Sequence, residues 1–178
     1  MPLLRFLFAS VLVLFTVAAC KPSRPGDQLA AGEWSLDLEA SVEATMPVWK
    51  SEVGERMQAE LDGMVKKHVY TQNKAAYEGD LIASQLPSIV TRELSTWKVE
   101  LTVEDATFEL RTDVPDHNEH VVNGTCVVAQ DNTVYLVRQR VDGIDLPTES
   151  KTTASVDDQG RLLLPWGELF RLVLVHDG

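Results

Sequence analysis

The sequence predicts an α+β fold: an antiparallel up-and-down β-barrel, or a strongly curved sheet, of about eight strands, with a helical insert between the first and second strands. One alternating segment precedes two segments with helical periodicity, and after Thr96 the period of the apolar residues drops to two. Short polar turns join those later runs, and short connections imply antiparallel neighbours. Eight strands are also enough for a sheet to close and lose its edges. An open antiparallel sheet packed on the helices is the alternative.

The first strand and the helices come from the N-terminal half of the domain. Residues 32–38 alternate apolar and polar side chains, as a half-buried strand does. Over residues 47–69 apolar side chains recur every three or four positions, which predicts a helix with Pro47 in its first turn. A second helix is predicted over residues 74–94. We expect a break in it near Gly79 or Pro87, because proline disrupts a helix interior.

After Thr96, alternating residues predict about seven strands joined by short turns. The apolar runs cover residues 97–103, 108–110, 121–128, 134–141, 152–156, 161–164 and 170–175. Polar turn residues at 130–132 and 157–160 are typical of hairpins. The alternation predicts that six bulky side chains point inward and fill much of a barrel: Trp97, Val99, Leu101, Phe108, Leu110 and Leu172.

The N-terminal segment has the layout of a secretion signal. Arg5 precedes an apolar run that ends at Val17-Ala18-Ala19-Cys20. This run is shorter than the ~20 helical residues that span a bilayer core. The small residues before Cys20 resemble the lipobox of bacterial lipoprotein signal peptides. The resemblance implies cleavage before Cys20 and acylation of both its thiol and its new amine.

The lipobox resemblance divides the chain into three parts. Residues 1–19 are the expected signal peptide, residues 20–31 a polar tether with two prolines, and residues 32–178 a single domain. Three acyl chains would exceed the two signals that stable anchoring needs. Lys21 stands where proteobacterial lipoproteins of the inner membrane commonly carry aspartate. The resemblance therefore implies a lipid-anchored protein of the bacterial cell envelope, with the outer membrane, facing the periplasm, favoured.

The charge balance limits the partners that the chain could bind. Residues 1–19 carry one charge, so the remaining chain has 15 Lys and Arg against 27 Asp and Glu, a formal charge of −12. Nucleic-acid affinity comes largely from Lys and Arg on phosphates, so no nucleic-acid partner is expected. Anionic head groups would repel the domain as well. We therefore expect it to meet the membrane only through its acyl chains.

Gly32-Glu33-Trp34 at the first strand is similar to the Gly-x-Trp motif of the lipocalin and fatty-acid-binding superfamily. In lipocalins this tryptophan packs across the barrel floor, and an arginine of the last strand lies over its ring. The resemblance implies that Arg171 makes this cation–π contact with Trp34. The helical insert looks more like the fatty-acid-binding branch. However, the Arg-x-Tyr carboxylate clamp of that branch is missing, because Leu172 and Val173 follow Arg171.

Two further groups of residues have side chains that could form a chemical site. Cys126 has no partner if Cys20 is acylated, and it lies in a predicted strand, so burial as a small apolar residue is expected. Asp116, His117, Glu119 and His120 form the densest set of potential metal ligands, with His117 and His120 as weak candidates. They follow Pro115 in a loop, where their spacing does not force one face, so a solvated connection is expected.

The sequence therefore predicts a non-enzymatic envelope lipoprotein without catalytic residues or cofactors, whose domain binds a small apolar ligand. The candidate ligand-binding residues are Trp34, Trp97, Phe108 and Arg171. The alternative is a structural or protein-interaction lipoprotein that has no ligand cavity and docks an envelope protein. An interior void below ~300 Å³ would argue against a drug-sized ligand.

Overall fold

The computed structural model describes residues 29–115, 119–129 and 131–178. The predicted signal peptide, Cys20 and the tether up to residue 28 lie outside these ranges. In chain order the elements are β1 (Gly32–Leu36), α1 (Leu38–Lys66), α2 (Gln72–Leu94), β2 (Lys98–Glu104), β3 (Thr107–Asp113), β4 (His120–Val128), β5 (Thr133–Val141), β6 (Ile144–Val156), β7 (Leu162–Trp166) and β8 (Phe170–His176).

The eight strands form a closed antiparallel barrel in which each strand pairs with its sequence neighbours. The ring is completed where β1 pairs with β8, through Trp34 and His176, Ser35 and Val175, and Leu36 and Leu174. The predicted fold class is confirmed, including the helical insert between the first two strands. Closure pairs the strands that would otherwise be the edges of the sheet.

The two ends of the barrel differ in the elements that reach them. We call the end with the β2–β3, β4–β5 and β6–β7 turns the floor, and the opposite end the mouth. Gly32 pairs with Val103 beside the β2–β3 turn, so the chain enters β1 at the floor. The mouth carries the β3–β4, β5–β6 and β7–β8 connections and the segment between α2 and β2.

Alternation along the strands fills the interior as predicted. On β2, Val99, Leu101 and Val103 are buried, whereas Lys98 and Glu104 are exposed. The six side chains predicted to point inward are all buried: Trp97, Val99, Leu101, Phe108, Leu110 and Leu172. This interior is the main hydrophobic core of the described residues.

The first helix begins earlier than predicted. Its first residue is Leu38, and the side chain of Asp37 caps it by accepting a hydrogen bond from the Ala40 N–H at 3.0 Å. Pro47 therefore lies inside the helix and not in its first turn. The early turns were missed because they pack through small and hydroxyl side chains, notably Ser41 and Thr45, which carry no apolar periodicity.

The predicted break in the second helix is wrong, because α2 runs without interruption from Gln72 to Leu94 through both Gly79 and Pro87. The buried face continues on both sides of the proline, with Leu86 before it and Val90 and Leu94 after it. This packing outweighs the local cost of proline in a helix interior.

The two helices continue beyond the barrel as a helical arm, which we define as residues 50–66 of α1 and 72–86 of α2. The start of α1 packs along β8 towards the mouth, and Trp49 meets Phe170 there with ring centroids 5.6 Å apart. At 1.5 Å per residue, the following 17 residues extend about 25 Å farther. Within the described ranges, no helix is both long and apolar enough to cross a membrane.

The barrel wall is weakest between β6 and β7. These strands pair only at Ser155–Leu163 and Val156–Leu162, whereas β5 and β6 pair at eight positions. The first part of β6, residues 144–151, was not predicted as strand. It is mostly exposed and polar on both faces, so it lacks the alternation that marks a half-buried strand.

Candidate functional site

A cavity of about 470 Å³ opens at the mouth of the barrel. Its aromatic wall consists of Trp97, Trp166 and Phe170. The Trp97 ring lies at the centre of this group, with centroid distances of 4.7 Å to Phe170 and 6.2 Å to Trp166. Glu93 and His120 lie on the polar part of its lining.

Backbone structure brings these three rings together. Trp97 follows the end of α2, where its N–H donates to the Leu94 carbonyl at 3.1 Å. Trp166 and Phe170 are cross-strand partners at the β7–β8 turn. Gly167 has a φ of +61° in that turn, a conformation that glycine adopts without steric cost.

A second cavity of about 260 Å³ lies inside the barrel and shares Trp166 and Gly167 with the mouth cavity. Most of its lining is apolar or aromatic. Its two polar side chains are Arg138 of β5 and Thr152 of β6. The remaining residues of its wall are Phe108, Leu110, Val122, Leu136 and Pro165. The two cavities therefore adjoin at Trp166 and Gly167.

Arg138 is the unusual residue of this interior cavity. It is half-buried, and within the described residues it has no carboxylate partner and its Nε has no hydrogen-bond partner. Arg140 on the same strand instead binds Asp145 at 2.9 Å, and Arg161 binds Asp157 at 2.8 Å. A buried donor without a partner is costly, so an anionic group that accepted from the Arg138 Nε–H would be stabilising here.

Two indole N–H groups near the mouth also lack partners. Nε1 of Trp97 and Nε1 of Trp49 are buried, and neither donates a hydrogen bond to any described residue. Both rings pack against Phe170. A buried donor that stays unpaired costs about 1–3 kcal/mol, so an acceptor placed beside these rings would be stabilising.

Of the predicted ligand-binding residues, Trp97 and Phe108 line these two cavities and Trp34 does not. Trp34 is buried at the floor, where its Nε1 donates to the Ala30 carbonyl at 3.1 Å. The His176 ring meets it edge-on, with centroids 5.2 Å apart. Trp34 thus closes the floor of the barrel.

The expected contact between Arg171 and Trp34 is wrong. Arg171 pairs with Pro165 near the mouth, whereas His176 pairs with Trp34 at the floor. At about 3.3 Å per residue, these two positions on β8 are about 16 Å apart. The Arg171 guanidinium instead donates to the carbonyls of Phe170 at 2.7 Å and Glu168 at 3.3 Å.

The structure describes only part of the predicted metal-ligand cluster, because Asp116 and His117 lie outside the described ranges. His120 Nδ1 lies 2.9 Å from Asp142 Oδ2. The Val121 N–H and then the His120 ring hold the pKa of the Asp142 carboxyl below its ordinary value. In the described part of the chain, no three His, Cys, Asp or Glu side chains are grouped as metal ligands would be.

Cys126 is a buried free cysteine on β4, in agreement with the burial expected from its strand. Burial raises the pKa of its thiol. The thiol is therefore protonated and a poor nucleophile at neutral pH.

No protein-family model, curated protein or solved structure matches this chain. Sequence reasoning missed Arg138 and Trp166. A signal for Arg138 existed, since it continues the alternation of the buried Val134 and Leu136 on β5. Trp166 carried no comparable signal, because its role depends on the β7–β8 turn.

Proposed function

We propose that this protein is a lipid-anchored envelope lipoprotein whose barrel binds a small, mostly apolar ligand with one anionic group. The observation that carries the proposal is the aromatic mouth cavity, which adjoins an apolar cavity lined by Arg138, whose buried Nε has no partner among the described residues. Ligand pockets commonly combine an apolar lining with a few polar groups that fix orientation.

The sizes of the cavities favour a ligand that spans both. The interior cavity alone, at about 260 Å³, is below the ~300 Å³ that small-molecule pockets usually exceed. The mouth cavity, at about 470 Å³, is within that class and shares Trp166 and Gly167 with it. The apolar body of the ligand would contact the Trp97 and Phe170 rings at the mouth, and its anionic group would reach inward to Arg138.

The position at which the chain enters the barrel supports an orientation in which the floor faces the membrane. Ala30 and Ala31 lie at the floor, where their carbonyls meet Trp34 Nε1 and His176 Nε2. An acyl anchor on Cys20 would therefore hold the molecule from its floor side. The mouth is at the opposite end of the barrel and would stay free to receive a ligand.

A structural or protein-interaction lipoprotein without a ligand is the second candidate. The close packing of the floor half of the barrel favours this second candidate, since Leu101, Leu162 and Leu174 are fully buried there. The interior is thus largely filled by its own side chains, as in many eight-stranded barrels. The two candidates differ in whether the cavities bind a solute.

Two neighbouring threonines offer a matched test of ligand binding. Thr152 lines the interior cavity, whereas Thr153 is exposed on the same strand. The probe is 1-anilinonaphthalene-8-sulfonate, which is aromatic and anionic, titrated into full-length protein while its fluorescence is followed. Thr152→Phe should fill the cavity and weaken binding about tenfold or more, whereas Thr153→Phe should not. Equal binding by both variants and the parent would contradict the ligand-binding proposal.

The anchor is tested separately. Mass spectrometry of the full-length protein purified from membranes should show a chain that begins at acylated Cys20. Cys20→Ser should remain unacylated and leave the membrane fraction. An intact N-terminal segment, or unchanged membrane attachment of Cys20→Ser, would contradict the lipoprotein proposal and leave the ligand site unaffected.

A further inference from the structure

The far end of the helical arm is basic, in contrast to the rest of the domain. We define the arm tip as residues 63–77, which comprise the end of α1, the connecting turn and the start of α2. It contains Lys66, Lys67 and Lys74 and no aspartate or glutamate. Removing these three from the 15 Lys and Arg of residues 20–178 leaves 12, against 27 Asp and Glu. A local excess of positive charge therefore lies at one end of an acidic molecule.

The nearest carboxylates lie on the barrel side of the arm tip. Asp62 is one turn before Lys66, and its carboxylate accepts a hydrogen bond from Gln58 Nε2 at 2.9 Å, which holds it towards the barrel. Glu78 lies about 9 Å along the helix axis from Gln72, the first residue of α2. The acidic barrel is about 25 Å away, which exceeds the ~8 Å screening length at physiological salt. The lysines of the tip can therefore meet an anionic surface before these carboxylates do.

The connecting turn holds apolar side chains at the surface. His68 has a φ of +59°, its N–H donates to the Val65 carbonyl at 3.0 Å, and the Val69 N–H donates to the Met64 carbonyl at 2.9 Å. These two hydrogen bonds form a Schellman motif, which ends α1 in a fixed geometry. The two apolar residues of the motif, Met64 and Val69, are nevertheless 37% and 63% exposed. The backbone of the turn thus presents them to whatever the tip meets.

The first turns of α2 extend this apolar surface. Tyr77 is 66% exposed, and Leu81 follows one turn later on the same side of the helix. The Lys74 ammonium lies 4.2 Å from the ring centroid of Tyr70. Of the six large hydrophobic residues exposed in the described structure, three lie in the arm tip: Met64, Val69 and Tyr77. Exposed apolar side chains beside lysines are typical of segments that enter the interface of an anionic membrane.

We propose that the arm tip binds the surface of a bilayer that contains anionic lipids. Met64, Val69 and Tyr77 would enter the interface, where the apolar faces of amphipathic segments lie about 5–10 Å deep, and the lysines would contact the head groups. Each lysine near such a surface strengthens binding about fivefold. The tip is the convex end of a helical hairpin, so a protein partner would need a matching hollow, whereas a lipid interface adapts to it. This shape favours lipid over an acidic protein.

The position of the arm tip implies a second contact with the bilayer that holds the anchor. Residues 20–30 could span at most ~35 Å when extended, so the domain can turn about its floor until its long axis lies along the bilayer. The mouth lies between the floor and the tip and would then be beside the head groups, where an apolar anionic ligand partitions. This orientation rests on the proposed acyl anchor, whereas the affinity of the tip for lipid does not.

A fluorescent label on the arm tip tests the proposal. Full-length Val69→Cys is labelled with a thiol-reactive nitrobenzoxadiazole dye and reconstituted in phosphatidylcholine nanodiscs with or without phosphatidylglycerol. We expect the emission to move to shorter wavelength and to rise about twofold or more only with phosphatidylglycerol, because the dye then leaves water. Ser51→Cys, labelled at an exposed position nearer the barrel, should show no rise. The parent chain, treated with the same dye, measures reaction of its own cysteines.

Lysine substitutions in the labelled chain give a matched comparison. Replacing the three tip lysines should reduce the phosphatidylglycerol-dependent rise at least about fivefold. The tip substitutions are Lys66→Gln, Lys67→Gln and Lys74→Gln. The control removes the same charge from three exposed positions elsewhere and should keep the parental response: Lys50→Gln, Lys98→Gln and Lys151→Gln.

Three results would overturn the proposal. Absence of any rise with phosphatidylglycerol would show that the arm tip does not meet lipid. Equal effects of the tip and control substitutions would show that the tip lysines are not responsible. A rise with soluble polyglutamate that matches the rise with phosphatidylglycerol would assign the tip to an acidic protein partner.

A further variant separates the arm tip from the acyl anchor. The labelled Val69→Cys chain that also carries Cys20→Ser is added to vesicles of the same two compositions. We expect the emission to rise with the phosphatidylglycerol vesicles and not with phosphatidylcholine alone. Loss of the rise in this variant would show that the tip has no affinity of its own for anionic lipid and would contradict the proposal.

Discussion

Ser41 takes the place of a strand partner for Val173, which lies on β8 just beyond the last residue that pairs with β1. Its fully buried hydroxyl accepts a hydrogen bond from the Val173 N–H at 2.8 Å and donates to the Val173 carbonyl at 3.4 Å. One helical turn later, Thr45 does the same for Arg171, at 3.0 and 3.1 Å. Four helical residues advance about 6 Å and two strand residues about 6.6 Å, so the two repeats match. The hydroxyls of α1 thus continue the pairing of β8 beyond the end of β1.

This pairing predicts a large effect of small substitutions. Ser41→Ala and Thr45→Val should each lower the free energy of unfolding by about 1–3 kcal/mol. Ser41→Ala leaves the Val173 N–H unpaired, whereas the Val173 carbonyl still accepts from the Asp37 N–H at 2.9 Å. Thr45→Val leaves both the N–H and the carbonyl of Arg171 without this partner. Urea denaturation followed by circular dichroism would measure the loss. Ser51→Ala, at an exposed position of the same helix, serves as the control and should change stability by less than about 0.5 kcal/mol. Equal effects at positions 41 and 51 would contradict the role of Ser41.

Gly124 is predicted to be intolerant of even one added methyl group. A Cβ there would overlap the Val137 carbonyl and lie 2.9 Å from Cε1 of Phe108. Gly124→Ala should therefore lower the free energy of unfolding by about 2 kcal/mol or more. Gly63→Ala, where a Cβ would meet nothing within 4 Å, should raise it by about 0.5–1 kcal/mol. Thermal unfolding of both variants would test whether the two changes in stability have opposite signs. A change of the same sign in both variants would contradict the packing argument.

Arg138 should affect binding and stability in opposite directions. Arg138→Met removes a half-buried cation whose buried Nε has no hydrogen-bond partner among the described residues, so it should leave stability unchanged or raise it by up to about 1 kcal/mol. The same change should weaken binding of 1-anilinonaphthalene-8-sulfonate about tenfold, through loss of a charge-assisted contact. Arg140→Met is the matched control, since Arg140 is exposed and paired with Asp145. A destabilised Arg138→Met with normal probe binding would show that Arg138 has a structural role instead.

The hydrogen bonds of Asp157 should make the free energy of unfolding depend on pH in the acid range. Burial alone would raise its pKa, but the N–H groups of Arg161 and Gln159 and the Arg161 guanidinium outweigh burial and lower it below the ordinary 3.8. Its stabilising effect is therefore present above about pH 4 and is lost as the pH falls through the folded-state pKa. Asp157→Asn should cost about 1 kcal/mol at pH 7 and less below pH 3.8. Urea midpoints measured from pH 7 to pH 2.5 test this, with Asp158→Asn as control. A constant difference across this range would contradict it.

Strand periodicity was sufficient to predict the antiparallel strands and the side chains that point inward. Trp97, Val99 and Leu101 alternate so regularly that only one face can be buried, and short turns leave few choices of neighbour. Whether the sheet closes could not be derived, because closure depends on pairing between β1 and β8 at opposite ends of the domain.

The missed features share a physical cause. The start of α1 escaped prediction because its buried face consists of Ala40, Ser41 and Thr45, whose packing depends on a strand more than 120 residues away. Arg171 was assigned to the wrong end of β8 because the Gly-x-Trp resemblance does not fix the register of the last strand. Arg138 was overlooked, although its inward position follows from β5 alternation.

The short pairing of β6 with β7 has a consequence for motion. Only two residue pairs connect β6 and β7, and Pro165 has no N–H to donate towards β6. Local opening of the barrel should therefore begin between these two strands. Thr152 and Pro165 lie at this joint and also line the interior cavity. Deuterium uptake should accordingly be faster at Leu163, whose N–H faces Ser155 of β6, than at Leu162 and Leu164, whose N–H groups face β8. Each separation of the two strands would also give a solute a lateral route into the interior cavity that bypasses the aromatic rings.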